Sequence, residues 1–119
     1  MNLTIYHNPK CSKSRKTLEL IEKRGITPRI VAYLETPPSA ATILELAAAL
    51  NCPVRDLLRT GEDDYRAASR KLDSSDDDAL AAWLANHPRV MERPIVVDTD
   101  SGRAIMGRPP ENVLQLVAP

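Results

Sequence analysis

The sequence contains no phenylalanine, and aromatic residues make up only 3% of its 119 residues. A core must therefore be built from aliphatic side chains, and the 43% hydrophobic content suffices for one domain. An excess of one charge is also lacking, because sixteen Lys and Arg balance sixteen Asp and Glu. Without a net field that attracts polyanions, we expect neither nucleic acid nor an anionic membrane as partner.

Cysteine is scarce as well, with only Cys11 and Cys52 in the chain. They form no C-x-x-C motif and no metal-ligand pair, so neither a disulfide framework nor a metal site is expected. No signal peptide is recognisable, and no apolar run approaches the thickness of a bilayer. These absences predict a cytoplasmic protein with reduced thiols.

The pattern of hydrophobic and turn residues predicts an α/β fold. A strand at 3–6, a helix at 12–24 ended by Gly25, and a strand at 29–34 indicate a βαβ unit with parallel strands. A block of helices follows at about 39–88. Ser39 is expected to cap its first helix, and Ser74 or Ser75 its last.

After the helical block, the chain returns to strands. A strand at 94–97 and another at 103–106 are joined by a turn, which predicts an antiparallel hairpin. Pro109 and Pro110 then open a short final helix. The predicted order is therefore β-α-β, a helical block, and β-β-α.

Cys11 lies at the predicted start of the first helix, among hydroxyl groups and several cations. The unpaired N–H groups of a first helical turn and nearby positive charge favour thiolate over thiol. Ser12 or Ser14 could add a hydrogen bond, and Arg15 is the cation of greatest interest. Free cysteines are often small buried hydrophobes, but the charged neighbours argue against apolar burial here.

His7 lies just before this loop, and three roles for it stay open: a proton carrier, a cation that stabilises the thiolate, or a hydrogen-bonding group of the loop. A phosphatase-type anion loop is excluded by counting. Such a loop needs a glycine and an arginine six positions after its cysteine, whereas this chain has Thr17 there and no intervening glycine.

Three further arginines, Arg59, Arg93 and Arg108, follow apolar or strand-flanking positions. Guanidinium groups suit oxyanions because they donate paired hydrogen bonds and keep their charge. Sequence spacing alone does not bring the three together.

Four segments carry a family resemblance: HNPKCSKSR at 7–15, VRDLLR at 54–59, ERPIVV at 92–97 and GRPPE at 107–111. Together they resemble the glutaredoxin-dependent arsenate reductases of the ArsC family, and most closely its short, housekeeping-type members. The resemblance extends over nearly the whole chain.

The resemblance implies a single thioredoxin-like domain over 1–119, with a mixed four-stranded sheet and a helical insertion at about 39–88. It implies that Cys11 is the nucleophile and that Arg59, Arg93 and Arg108 bind the oxyanion. It also implies a cis peptide bond before Pro94.

The implied activity is reduction of arsenate to arsenite by a monomer, with glutathione as co-substrate, glutaredoxin as partner and no bound cofactor. Cys52 could resolve a sulfenate or disulfide on Cys11, but with glutathione supplying the second thiol it is expected to be a packing residue. Two alternatives stay open. One is an RNA-polymerase-binding regulator of the same fold, although Ser14 replaces the second cysteine of its usual redox switch; the other is thiol chemistry on a different substrate.

Overall fold

The computed structural model describes residues 1–117, and the chain divides into two compact units. One unit consists of Met1–Thr36 and the chain from Arg93 onward. The other, Pro37–Glu92, extends slightly beyond the predicted helical segment at both ends. The helical segment thus interrupts the sequence of the first unit.

The first unit is built on a four-stranded sheet with the order β2-β1-β3-β4. Its strands are β1 (Leu3–His7), β2 (Arg29–Ala32), β3 (Ile95–Asp98) and β4 (Ala104–Met106). β1 runs parallel to β2 and antiparallel to β3, and β3 pairs antiparallel with β4. This mixed sheet confirms the predicted fold class and the predicted hairpin.

Helix α1 (Ser12–Lys23) connects β1 to β2 and packs against the 3-10 helix Pro110–Gln115. Gly25 follows α1 with a φ of 76°, a conformation that glycine adopts at little cost. The main buried cluster of this unit is aliphatic, as the missing phenylalanine predicts, although Tyr33 is fully buried as well. Its members are Leu3, Ile5, Ile21, Val96, Val113, Leu116 and Val117.

The second unit is helical. Its α-helices are α2 (Ala40–Leu50), α3 (Asp63–Ala68) and α4 (Asp77–Ala85), and its 3-10 helices are Val54–Leu57, Ser69–Lys71 and Pro88–Val90. Helix α2 packs against α4. Fully buried side chains from both helices, including Ile43, Leu80 and Leu84, hold the unit together.

One of the two predicted helix caps is confirmed and the other is wrong. The Ser39 hydroxyl oxygen accepts from the Thr42 N–H at 3.1 Å and caps α2. Helix α4 is instead capped by Asp76, whose carboxylate accepts from the Ala79 N–H at 3.1 Å. Ser75 does not cap α4 because its N–H and hydroxyl both donate to Asp73 Oδ1, at 2.9 and 2.6 Å.

Candidate active site

Asn8 organises the loop between β1 and α1. Its carboxamide oxygen accepts from the Lys10 N–H at 3.0 Å, and its carbonyl oxygen accepts from the Cys11 N–H at 3.0 Å. Its own N–H donates to the Ser14 hydroxyl oxygen at 3.0 Å. These bonds hold the turn that presents Cys11 at the start of α1. Asparagine before a turn often bonds to the backbone two residues on, as the Asn8 carboxamide does to Lys10.

His7 and Ser14 form a buried polar pair beneath this loop. His7 Nδ1 lies 2.6 Å from the Ser14 hydroxyl oxygen. The same hydroxyl oxygen accepts from the Asn8 N–H, and a hydroxyl can donate its own proton while it accepts. Burial and the charge of Arg15 lower the pKa of His7. His7 is therefore neutral at pH 7, and it bonds to the loop rather than supplying a positive charge.

Cys11 precedes the first residue of α1 and is partly exposed. Burial raises the pKa of its thiol, but the Ser14 backbone N–H, the Arg93 side chain and the Lys13 backbone N–H lower it further than burial raises it. The net effect is a lowered pKa for Cys11, as its position at a helix start predicts. The Ser14 contribution comes from the peptide N–H, not from the hydroxyl that the sequence suggested.

Arg93 and Arg108 lie next to each other in the first unit. Arg108 Nη1 donates to the Arg93 carbonyl oxygen at 3.2 Å. The Arg93 side chain also hydrogen-bonds Cys11 and lowers its pKa. The Arg93–Pro94 peptide bond is cis, as predicted, and the Arg108–Pro109 bond is cis as well. Two of the three predicted oxyanion-binding arginines thus lie in the unit that contains Cys11.

Gly107, the residue before Arg108, packs closely against Pro94 and Thr17. Its N–H donates to the Pro94 carbonyl oxygen at 2.9 Å. A Cβ atom at this position would lie 2.5 Å from Thr17 Oγ1 and 2.7 Å from Pro94 Cγ. Only glycine fits such an approach without displacing its neighbours. This role was not foreseen, because a contact between residues distant in sequence leaves no local signal.

Arg59 belongs to the second unit, where a short antiparallel pairing holds it. Its N–H donates to the Val90 carbonyl oxygen at 2.6 Å, and the Glu92 N–H donates to the Leu57 carbonyl oxygen at 2.7 Å. The Arg59 guanidinium lies 3.6 Å from a Glu62 carboxylate oxygen and 3.9 Å from one of Glu92. Arg59, Glu62 and Glu92 line a cavity of about 370 Å³.

Cys52 and Arg15 were the other two residues of interest in the sequence. Burial and the charges of Asp56 and Asp77 raise the pKa of Cys52, which favours the unreactive thiol. Arg15 Nη1 donates to the Pro9 carbonyl oxygen at 2.8 Å, so this cation supports the Cys11 loop from outside. Within residues 1–117, no three His, Cys, Asp or Glu side chains are grouped to hold a metal ion.

Comparison with known proteins identifies the family. The ArsC family model matches residues 6–116, and this range is nearly the whole chain. The chain belongs to the ArsC family. Its relatives include the uncharacterized protein YfgD of Escherichia coli strain K12, 46% identical over 95% of this chain and 94% of that one. They also include an arsenate reductase of Escherichia coli, 44% identical over 98% of this chain and 81% of that protein.

A solved ArsC-type structure agrees with the fold. The arsenate reductase from Vibrio cholerae superposes with a TM-score of 0.89 at 47% identity, over 97% of each chain. The family match also includes Cys11, Arg59, Arg93 and Arg108 within its bounds. Among the helices of residues 1–117, none is both long and apolar enough to cross a membrane.

Proposed function

We propose that this chain is an arsenate reductase that uses Cys11 as its nucleophile. The observation that carries the proposal is the partly exposed Cys11 thiol, whose pKa is lowered by peptide N–H groups and by Arg93. A thiolate is the form that attacks an electrophilic centre such as arsenic(V). The named arsenate reductases among its ArsC relatives support arsenate as the substrate.

Arsenate binding is assigned to Arg93, Arg108 and Arg59. The Arg93 side chain hydrogen-bonds the thiol, and Arg108 bonds to the Arg93 backbone. Guanidinium donors match the oxygens of a tetrahedral oxyanion. Arg59 is the third proposed ligand. Since two carboxylates lie near its guanidinium, an arsenate oxygen would have to compete with Glu62 and Glu92 for it.

The reaction begins when the Cys11 thiolate forms a bond to arsenic and a hydroxide leaves, taking a proton to become water. A glutathione thiol then adds to the arsenic and displaces a second oxygen as water. Formation of a disulfide between Cys11 and glutathione delivers two electrons to arsenic, which takes up one water and leaves as arsenite. The arginines stabilise the negative charge on the arsenic oxygens during these steps.

Glutathione and a glutaredoxin complete the proposed cycle. A glutaredoxin thiolate attacks the glutathione sulfur of the mixed disulfide and releases the Cys11 thiolate. The proposed second thiol is external, and the raised pKa of Cys52, which favours its unreactive thiol form, supports that choice. The cycle uses one chain, no metal and no bound organic cofactor, and it requires the reducing conditions of the cytoplasm.

Arsenite production in the presence of glutathione and a glutaredoxin tests this function. We expect the wild type to form arsenite and Cys11→Ser to form none. Cys52→Ser is the matched control and is expected to keep most of the activity. Wild-type production no faster than that of Cys11→Ser would refute the proposal. If Cys11 still exchanges with disulfides in that case, its substrate is another thiol-reactive compound.

A further inference from the structure

Exposed cationic side chains flank Cys11 in the sequence and take no part in the proposed reaction steps. Lys10 and Lys13 flank the nucleophile in sequence, and both are exposed to solvent. Arg15, also exposed, uses Nη1 to bond the Pro9 carbonyl oxygen. The surface formed by Lys10, Lys13 and Arg15 is called the cationic rim below.

The cationic rim is not neutralised by nearby carboxylates. In residues 1–117, Lys10, Lys13 and Arg15 form no ion pair, and the first turn of α1 contains no acidic residue. The lysines further along α1 differ, because Lys16 and Lys23 both pair with Glu19, at 3.8 and 2.9 Å. The unpaired charges of Lys10, Lys13 and Arg15 therefore lie at the end of α1 that holds the thiol.

We propose that Lys10 and Lys13 of the cationic rim bind the carboxylates of glutathione and guide its sulfur to Cys11. This inference rests on the proposed function, in which glutathione is the co-substrate. Glutathione carries two carboxylates and one ammonium group, so it is a net anion at neutral pH. Exposed, unpaired lysines attract such a molecule and raise its local concentration at the thiol.

The lysine charges act on the incoming molecule rather than on the nucleophile. Neither lysine side chain is among the groups that shift the pKa of Cys11, to which Lys13 contributes only through its backbone N–H. Replacing the two side chains should therefore leave the thiolate itself nearly unchanged. Any loss of reactivity towards an anionic reagent then reports on recognition.

Disulfide exchange without arsenate provides a direct test. The Cys11 thiolate attacks one sulfur of glutathione disulfide, forms the mixed disulfide and releases a glutathione thiolate. The same reaction with 2-hydroxyethyl disulfide, which is neutral, measures intrinsic reactivity. The readout is the rate constant for glutathione disulfide divided by that for 2-hydroxyethyl disulfide. It is measured in a Cys52→Ser background, where only Cys11 reacts.

We expect the combined change Lys10→Ala and Lys13→Ala to reduce this ratio by about fivefold at low ionic strength. The same positions changed to Arg should keep the ratio, and so should Lys23→Ala at the other end of α1. High salt should lower the ratio of the parent protein towards that of the double variant. A ratio unchanged by the double alanine variant would overturn the proposal.

Failure of this proposal is distinguishable from failure of the proposed function. A protein that forms arsenite but shows no preference for the anionic disulfide lacks the glutathione site and keeps the reductase activity. A protein that shows the lysine-dependent preference but forms no arsenite keeps the glutathione site and has a different electrophilic substrate.

Discussion

His7 Nδ1 lies 2.6 Å from the hydroxyl oxygen of Ser14, and both side chains are shielded from solvent, with 8% and 0% exposed. The contact joins the last residue of β1 to the first turn of α1. Because Ser14 also accepts from the Asn8 N–H, one hydroxyl connects strand, loop and helix. The buried Ser14 hydroxyl thus helps to position Cys11, although it acts through the loop and not through a bond to the thiol.

Ser14→Ala is expected to reduce stability without raising the pKa of Cys11. The change leaves the Asn8 N–H and His7 Nδ1 without their partner, which should lower the free energy of unfolding by about 1–3 kcal/mol. The peptide N–H that acts on Cys11 is unchanged, so the pH profile of Cys11 alkylation should stay close to wild type. Ser12→Ala, at an exposed position, is the control. A large shift in the alkylation profile would contradict the assignment to the backbone.

His7 is expected to make stability depend on pH. Its pKa in the folded protein is lowered, so between that value and its unfolded value of about 6.5 the unfolded chain binds more protons. The free energy of unfolding should therefore fall as pH decreases from about 6.5. Chemical denaturation of His7→Gln across this range should show a weaker dependence. His87→Gln is the control, because it keeps His7 and its contribution to the pH dependence. If the free energy of unfolding depended equally on pH in wild type and His7→Gln, the role assigned to His7 would be contradicted.

Arg93→Gln is expected to weaken the nucleophile and the oxyanion site together. Loss of its hydrogen bond and charge should raise the pKa of Cys11, moving the alkylation midpoint to higher pH. The kcat/KM for arsenate should fall by about a hundredfold, the usual loss for one oxyanion donor. Arg103→Gln removes an exposed arginine from the turn before β4 and serves as control. An unchanged midpoint in Arg93→Gln would contradict the contact with Cys11.

Gly107→Ala is expected to destabilise the protein through a steric clash. The added methyl group would meet Thr17 and the Pro94 ring, and the required shifts should cost about 1–3 kcal/mol. Arg108 follows directly, so arsenate turnover should fall as well. Gly61→Ala is the matched stability control, since nothing lies within 4 Å of its added Cβ. Similar melting temperatures for the two variants would show that the Gly107 contact is unimportant.

Local sequence patterns predicted the elements well and the contacts poorly. Strand and helix order and the Ser39 cap agree with the structure. The cis bond before Pro94 also agrees, but the family resemblance implied it rather than the local pattern. The choice of Asp76 over its serine neighbours was missed because several residues in that stretch can cap a helix. The second strand ends at Ala32 rather than 34, because the Glu35 and Thr36 N–H groups donate to the Ala32 carbonyl oxygen.

In the candidate active site, too, local features were predictable from the sequence and long-range contacts were not. Cys11 was recognisable from its place at a helix start, which is a local property. The joining of Arg93 to Arg108 and the close approach at Gly107 arise when distant segments pack, and no spacing rule predicts them. For the arginines, family resemblance supplied the grouping that the residue pattern left open.

The most direct test of the central claim is a single turnover with arsenate and glutathione but without glutaredoxin, followed by mass spectrometry of Cys11. We expect equimolar arsenite and protein with one glutathione disulfide-bonded at Cys11, and return of the free thiol when glutaredoxin is added. Arsenite released while Cys11 stays unmodified, or no arsenite from a protein with an intact Cys11 thiolate, would contradict the account.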